Sequence, residues 1–65
     1  MKVIIRNPKR RELELEGKRH VSDLLKELAL NPEIYLVIRE GQLLTRDEVV
    51  GGDDTVELLS SISGG

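Results

Sequence analysis

A chain of 65 residues with no cysteine, no Phe and no Trp has to hold itself together with an aliphatic core alone. No disulfide can staple it, and a single His without any thiolate partner argues against a zinc site. A chain this short makes one domain and buries only about 60% of the surface that its unfolded form exposes. Val, Ile and Leu must therefore be arranged so that nearly all of them reach one small interior. The lone Tyr35 argues against aromatic platforms for stacked bases. No stretch approaches the roughly 20 apolar residues that span a bilayer. Residues 1–5 run into Arg6 and Pro8 too soon for a signal peptide. The expectation is a cytoplasmic protein with no membrane partner.

Formal net charge is −2, unevenly spread. Lys2, Arg6, Lys9, Arg10 and Arg11 crowd the first eleven residues, and Glu12, Glu14 and Glu16 follow at once. A basic stretch steers toward RNA or an acidic partner. Here the glutamates on the adjoining strand offset the field, so nucleic acid is not expected as a partner.

Met1, Val3 and Ile5 alternate with Lys2, Ile4 and Arg6, a period of two with one fully apolar face. Asn7-Pro8-Lys9-Arg10 reads as a turn, with Pro8 fixing φ. Leu13 and Leu15 then point inward while Glu12, Glu14 and Glu16 face solvent. The two strands form an antiparallel hairpin, closed by a break at Gly17-Lys18.

The period then changes. Val21, Leu24, Leu25 and Leu28 stand at i, i+3, i+4 and i+7, one apolar stripe on a helix. His20 and Ser22 compete as the cap; with His20 there, Asp23 falls at N3, near free N–H groups and the positive end of the dipole. The helix is expected to stop near Leu30, with Asn31 tolerating a left-handed conformation and Pro32 blocking continuation. Two to three turns are not stable alone, so the helix must lie on a sheet.

Residues 34–38 have the apolar density of a buried strand, and Glu40-Gly41 is a turn before a short return strand at Leu43-Leu44. Thr45 and Glu48 have capping-box spacing, which predicts one helical turn over residues 45–50. Gly51-Gly52-Asp53-Asp54 is a second turn, and Thr55-Val56-Glu57-Leu58-Leu59 the last strand, with Val56 and Leu58 facing the core. The order is ββαββ plus a terminal strand, with one helix packed on one face of a mixed sheet as the simplest layer solution. The fold class is α+β. The domain spans residues 1–59, and residues 60–65 form a tail.

That tail reads Ser60-Ser61-Ile62-Ser63-Gly64-Gly65. Paired terminal glycines are either simple fraying or a segment that threads a narrow slot and delivers a carboxylate to chemistry there. In the second case the terminal carboxylate is the functional group. No Walker motif, Cys nucleophile or acid–base pair is present to make the chain itself an enzyme.

Taken together, the hairpin, the helix stretch over residues 21–28, the Gly52-Asp53-Asp54-Thr55-Val56 turn and the Ile62-Ser63-Gly64-Gly65 ending resemble the ubiquitin-like β-grasp family over essentially the whole chain. Within it, the chain is similar to the sulfur carriers ThiS and MoaD. The absence of Phe, the short length and Ser60-Ser61 where some relatives carry Pro favour the ThiS-like form; His20 stands where the family often has Thr. The resemblance implies a protein cosubstrate and not an enzyme. Gly65 would be adenylated by an E1-like adenylyltransferase of the ThiF/MoeB kind, with ATP and Mg²⁺ held by that partner and no cofactor or metal on this chain. A sulfur donor such as a cysteine desulfurase or a rhodanese-like protein would then convert Gly65 to a thiocarboxylate. Gly64, Ser63 and Ile62 would thread the partner's channel. Strand parity nominates Ile4, Leu36, Ile38 and Leu59, on the sheet face away from the helix, as the partner surface. Thiamine-thiazole synthesis, with thiazole synthase as recipient, is the leading expectation. The alternatives are molybdopterin synthesis through the large subunit of its synthase, tRNA thiolation, conjugation to protein lysines, and a non-catalytic β-grasp interaction module.

Overall fold

A computed structural model describes residues 1–6 and 9–61. Asn7 and Pro8 of the expected first turn, and Ile62, Ser63, Gly64 and Gly65, lie outside the described residues. The elements are β1 (Lys2–Ile5), β2 (Arg11–Glu14), β3 (Arg19–His20), α1 (Val21–Glu27), β4 (Tyr35–Arg39), β5 (Gln42–Leu43), β6 (Val49–Val50) and β7 (Thr55–Ser60).

Five strands form a mixed sheet in the order β2-β1-β7-β4-β5, and β3 and β6 pair as a second, two-stranded sheet. The first and last long strands, β1 and β7, lie side by side and parallel, with Val3 opposite Val56 and Ile5 opposite Leu58. The remaining neighbours are antiparallel. This is the α+β, ubiquitin-like β-grasp arrangement.

Alternation decides what is buried. Met1, Val3, Ile5, Val37, Val56 and Leu58 meet Val21, Leu24 and Leu25 of the helix stripe, and Val50 closes the core. Leu28 is half-buried at the end of the same stripe. Burial of aliphatic side chains at about 1.5–3 kcal/mol each is what offsets the chain entropy of so short a domain. No side-chain polar group is left buried and unpaired among the described residues.

Helix α1 starts at the His20 cap, which makes no side-chain capping bond. The free N–H groups of Val21 and Ser22 instead donate to the carbonyls of Glu48, at 2.9 Å, and Arg46, at 3.2 Å. A neighbouring loop therefore does what a Ser or Asp cap usually does. Asp23 stands in the first turn and Lys26 in the last, both favourable to the dipole.

The stop differs from expectation. Ala29, at φ 58°, takes the left-handed position, not Asn31. The Leu30 N–H donates to the Leu25 carbonyl and that of Ala29 to Lys26, the paired bonds of a Schellman ending. Asn31 begins the next turn: its Oδ1 accepts from the Glu33 N–H at 2.9 Å and its carbonyl from Ile34 and Tyr35.

Three other boundaries shift. Residues 45–50 do not make a helical turn. The Thr45 N–H does donate to the Glu48 carboxylate at 2.7 Å, as a capping box requires, but the chain turns once and enters β6. Pairing of Val50 with Arg19 and of Val49 with His20 outweighs the local helix signal there. The return strand is Gln42–Leu43, one residue earlier than Leu43-Leu44, because Glu40 and Gly41 both have positive φ and make a two-residue hairpin turn. Finally, β7 runs through Ser60, one residue past the expected end of the last strand at Leu59. Ser61 is tied to the Ile34 carbonyl by its N–H, at 2.7 Å, and by its hydroxyl, at 2.6 Å.

Candidate functional site

The sheet face away from α1 is built by every second residue of its strands. Ile4 lies opposite Glu12 on one side and Glu57 on the other, Leu36 opposite Leu59, and Ile38 opposite Glu57 and Leu43. Ile4, Leu36, Ile38 and Leu59 thus share one face, and the register brings all four together around Glu57. Leu36 is 41% exposed, while Ile4, Ile38 and Leu59 are half-buried.

Two members of this face are missing from the sequence reading. Leu43, 61% exposed, extends the apolar surface across β5. The two-residue turn at Glu40-Gly41 was the available signal, since it fixes Leu43 opposite Ile38. Glu57 is the other: it stands among the aliphatic residues, and the Arg6 guanidinium donates to its carboxylate at 2.5 Å. Lys2 and Arg10 flank Glu12 at 3.7 and 3.2 Å. These exposed pairs contribute at most about 1 kcal/mol each.

The tail leaves from the end of β7. That strand is third of five in the sheet and hydrogen-bonded on both sides, so Ser60 and Ser61 are fixed points. The four residues that follow Ser61 span at most about 14 Å when extended. Ile62, Ser63, Gly64 and Gly65 themselves lie outside the described residues. Whatever acts on Gly65 must therefore come within that radius of this end of the sheet.

At the opposite end the start of β7 is locked. The Asp54 carboxylate accepts from the Gly51 N–H at 3.0 Å and from Arg39 at 3.1 Å, and Arg39 also donates to the Val49 carbonyl at 3.1 Å. The Gly51 N–H, and then the Arg39 guanidinium, hold the Asp54 carboxyl below the usual carboxylate range against the opposing effect of burial. One side chain thereby joins β4, β6 and the turn before β7. His20 lies 3.7 Å from Asp23, an exposed contact at the helix start. Among the described residues, no group of three or more His, Asp or Glu is placed to hold a metal ion. No helix among them is long and apolar enough to cross a membrane.

A β-grasp body, an apolar outer face and a central last strand running toward Gly64-Gly65 define the ubiquitin-like class of small carriers and modifiers. Within that class the chain belongs to the small archaeal modifier protein 2 family, whose model matches residues 1–62. It is also 46% identical over 65 residues, the full length of both chains, to sulfur carrier protein TtuB of Thermus thermophilus. The likeness to ThiS- and MoaD-type carriers read from the sequence is thus supported at the level of the family. A protein of this class is a carrier and not a catalyst.

Proposed function

We propose that the chain is a sulfur carrier whose Gly65 carboxylate is adenylated by an E1-like enzyme, and that its sulfur is destined for tRNA. The observation that carries this reading is the end-to-end likeness, at 46% identity, to a protein named as a sulfur carrier. Neither that name nor the modifier family ties the chain to thiazole or to molybdopterin. Transfer to tRNA, one of the alternatives that share the same Gly65 chemistry, is proposed in place of the thiamine preference drawn from the sequence alone.

A terminal carboxyl with pKa about 3.3–3.7 is ionised at neutral pH and can attack the α-phosphate of ATP. The products are an acyl-adenylate and pyrophosphate. Mg²⁺ and cationic groups of the activating partner stabilise the phosphoryl charge. A donor persulfide, relayed from a cysteine desulfurase or a rhodanese-like protein, displaces AMP to give an acyl disulfide. A thiol then attacks its outer sulfur, forming a disulfide with the donor cysteine and releasing the thiocarboxylate on Gly65. Ile4, Leu36, Ile38 and Leu59, with Leu43 beside them, dock on the partner, while Ile62, Ser63 and Gly64 lead the terminus to the nucleotide. On this reading the carrier works in the cytoplasm, where ATP is available to its activating partner.

A second reading has its own support. The matching family is one of modifiers, which favours conjugation of the same activated Gly65 to protein lysines. The activation step is shared, and the acceptor decides between the two.

The test is incubation with an E1-like enzyme, MgATP and sulfide, followed by intact-mass measurement. A gain of about 16 Da, one oxygen exchanged for sulfur by nucleophilic displacement of AMP, is the expected product. Absence of both that product and an AMP adduct with several competent activating enzymes would overturn the carrier reading. Transfer of the sulfur to added tRNA distinguishes tRNA thiolation from the other fates.

A further inference from the structure

The end of the sheet from which the tail departs is also the end that carries the positive charge. Arg6 leaves β1 there and β2 begins there, so Arg6, Lys9, Arg10 and Arg11 put four cations within six positions at the end of the sheet where β7 finishes. The parallel register sets Ile5 against Leu58, and the Arg6 N–H donates to the Leu58 carbonyl. Arg6 is therefore level with Leu59, about 7 Å along the strand from Ser61.

The glutamates that follow in sequence do not cancel this charge in space. β2 rises about 3.4 Å per residue, so Glu14 sits about 10 Å beyond Arg11, outside the ≈8 Å screening length of physiological salt. Glu14 faces the N-terminal ammonium at 3.8 Å, and the Glu16 carbonyl accepts from Arg19 beyond the strand. Glu12 and Glu57 remain near, paired with Arg10 and Arg6. Among the described residues, four cations against the two carboxylates paired with them leave this corner at +2 in a chain of net charge −2. Lys9 and Arg11 are exposed and have no ion pair among the described residues.

The corner adjoins the apolar face where Arg6 meets Glu57, but differs from it in chemistry. Among the described residues the exposed large hydrophobics are Leu36 and Leu43, on β4 and β5, and Val49 of the second sheet, whereas β2 is the opposite edge of the five-stranded sheet. A protein interface needs an apolar centre inside its charged rim, and a phosphate backbone does not. No aromatic side chain lies at this edge to stack bases, so contact there would be to phosphates and independent of sequence.

We infer that this basic corner contacts the phosphate backbone of the RNA that receives the sulfur, next to the point where the tail is delivered. The inference rests on the tRNA reading above and adds a second surface to it: the apolar face meets the activating protein, and the corner meets the acceptor RNA. Any acceptor atom lies within the tail's reach of about 14 Å, so an RNA substrate brings its phosphates to these cations in the transfer complex.

The test is a titration of the ¹⁵N-labelled full chain with purified tRNA, repeated with polyglutamate as a mimic of an acidic protein. Two to three phosphate contacts predict amide shifts confined to residues 6 and 9–12, with affinity falling about 10–40-fold between 50 and 200 mM salt. The combined variant Lys9→Gln, Arg10→Gln, Arg11→Gln should keep the amide spectrum of the fold and lose those shifts. Shifts centred on Leu36 and Leu43, no shifts at 50 mM salt, or polyglutamate binding as well as tRNA would overturn the inference. A parallel sulfur-transfer assay separates it from the functional reading. Shifts at the corner without sulfur reaching tRNA would uphold the corner and remove tRNA as the recipient. Equal sulfur transfer by wild type and variant at every salt concentration would uphold the recipient and remove the corner.

Discussion

Gly51 lies against Lys18 so closely that a Cβ added to it would stand 2.7 Å from the Lys18 Cα and 2.9 Å from the Gly17 carbonyl oxygen. The contact joins the turn before β7 to the break before β3, which is where β3 and β6 pair. Both obstacles are backbone, so no rotamer change relieves them. Gly51→Ala is expected to destabilise the domain by about 2–4 kcal/mol. For a domain of this size, that lowers the thermal midpoint by roughly 10–25 °C. Gly52 is the control: at φ 63°, with nothing within 4 Å of an added Cβ, Gly52→Ala should cost only about 1 kcal/mol of left-handed strain. Thermal melts of the two variants should differ clearly, and equal losses would contradict the contact.

The helix stop invites a stabilising change. Ala29 occupies an exposed left-handed position that Gly takes without steric strain. Ala29→Gly removes about 1–2 kcal/mol of strain and returns part of it as unfolded-chain entropy. A net gain of about 0.5–1 kcal/mol is expected, read as a higher urea midpoint with unchanged slope. A loss of stability would mean that the Schellman ending is not formed in solution.

Stability should also depend on acid through Asp54. Its folded pKa is depressed by the Gly51 N–H and by Arg39. The stabilisation is therefore fully present above the unfolded value of about 3.9 and is lost as pH falls through the lower folded value. Asp54→Asn should be less stable than wild type by about 1 kcal/mol at pH 7, a modest figure because the carboxylate is partly solvated. The difference should shrink as pH is lowered below 4. A gap between the two proteins that stays constant from pH 7 to pH 2 would show that the charge contributes nothing.

What could be read from the sequence followed from periodicity. Val3 and Ile5, Leu13, the stripe of Val21, Leu24 and Leu25, and Val56 with Leu58 all announce their faces, and the structure buries or half-buries each of them. Parity was also enough to place Ile4, Leu36, Ile38 and Leu59 on one surface. The β3–β6 pair was not legible, because two residues per strand carry no alternation and the Thr45/Glu48 spacing pointed to a helical turn. Residue type points to Asn31 for the left-handed stop, and the structure puts it at Ala29, where the Leu25 and Lys26 carbonyls require it. The basic corner could not be seen from sequence proximity alone. Glu12, Glu14 and Glu16 follow the cations directly in the chain, and only an extended strand carries the later two away.

The apolar face gives a variant that separates folding from recognition. Leu36 and Leu43 are exposed enough that Leu36→Ser and Leu43→Ser should change stability by no more than about 0.5 kcal/mol each. If this face docks on the activating enzyme, each should raise the KM for the carrier in ATP–pyrophosphate exchange about 5–10-fold, corresponding to a loss above 1 kcal/mol. Leu24→Ala is the converse: fully buried, it should lose about 2–5 kcal/mol of stability. Unchanged KM for both serine variants would move the docking surface elsewhere.

The terminal glycines provide the sharpest separation of activation from folding. In the proposed adenylation, a methyl group on Gly65 would stand beside the carboxylate that is to reach a nucleotide phosphate, and misplacing a reacting group by about 1 Å can cost 100-fold in rate. Gly65→Ala should therefore slow adenylation at least about tenfold, measured as pyrophosphate exchange, while leaving the melting curve superimposable on wild type. Deleting Gly64 and Gly65 should abolish exchange and still leave the fold, because the strand is already tied to the body of the domain at Ser61, three residues before Gly64. Wild-type exchange rates in Gly65→Ala would mean that the partner's channel is wider than two glycines require. Exchange that survives the deletion would mean that the terminus is not the reacting group, and that the domain acts by binding alone.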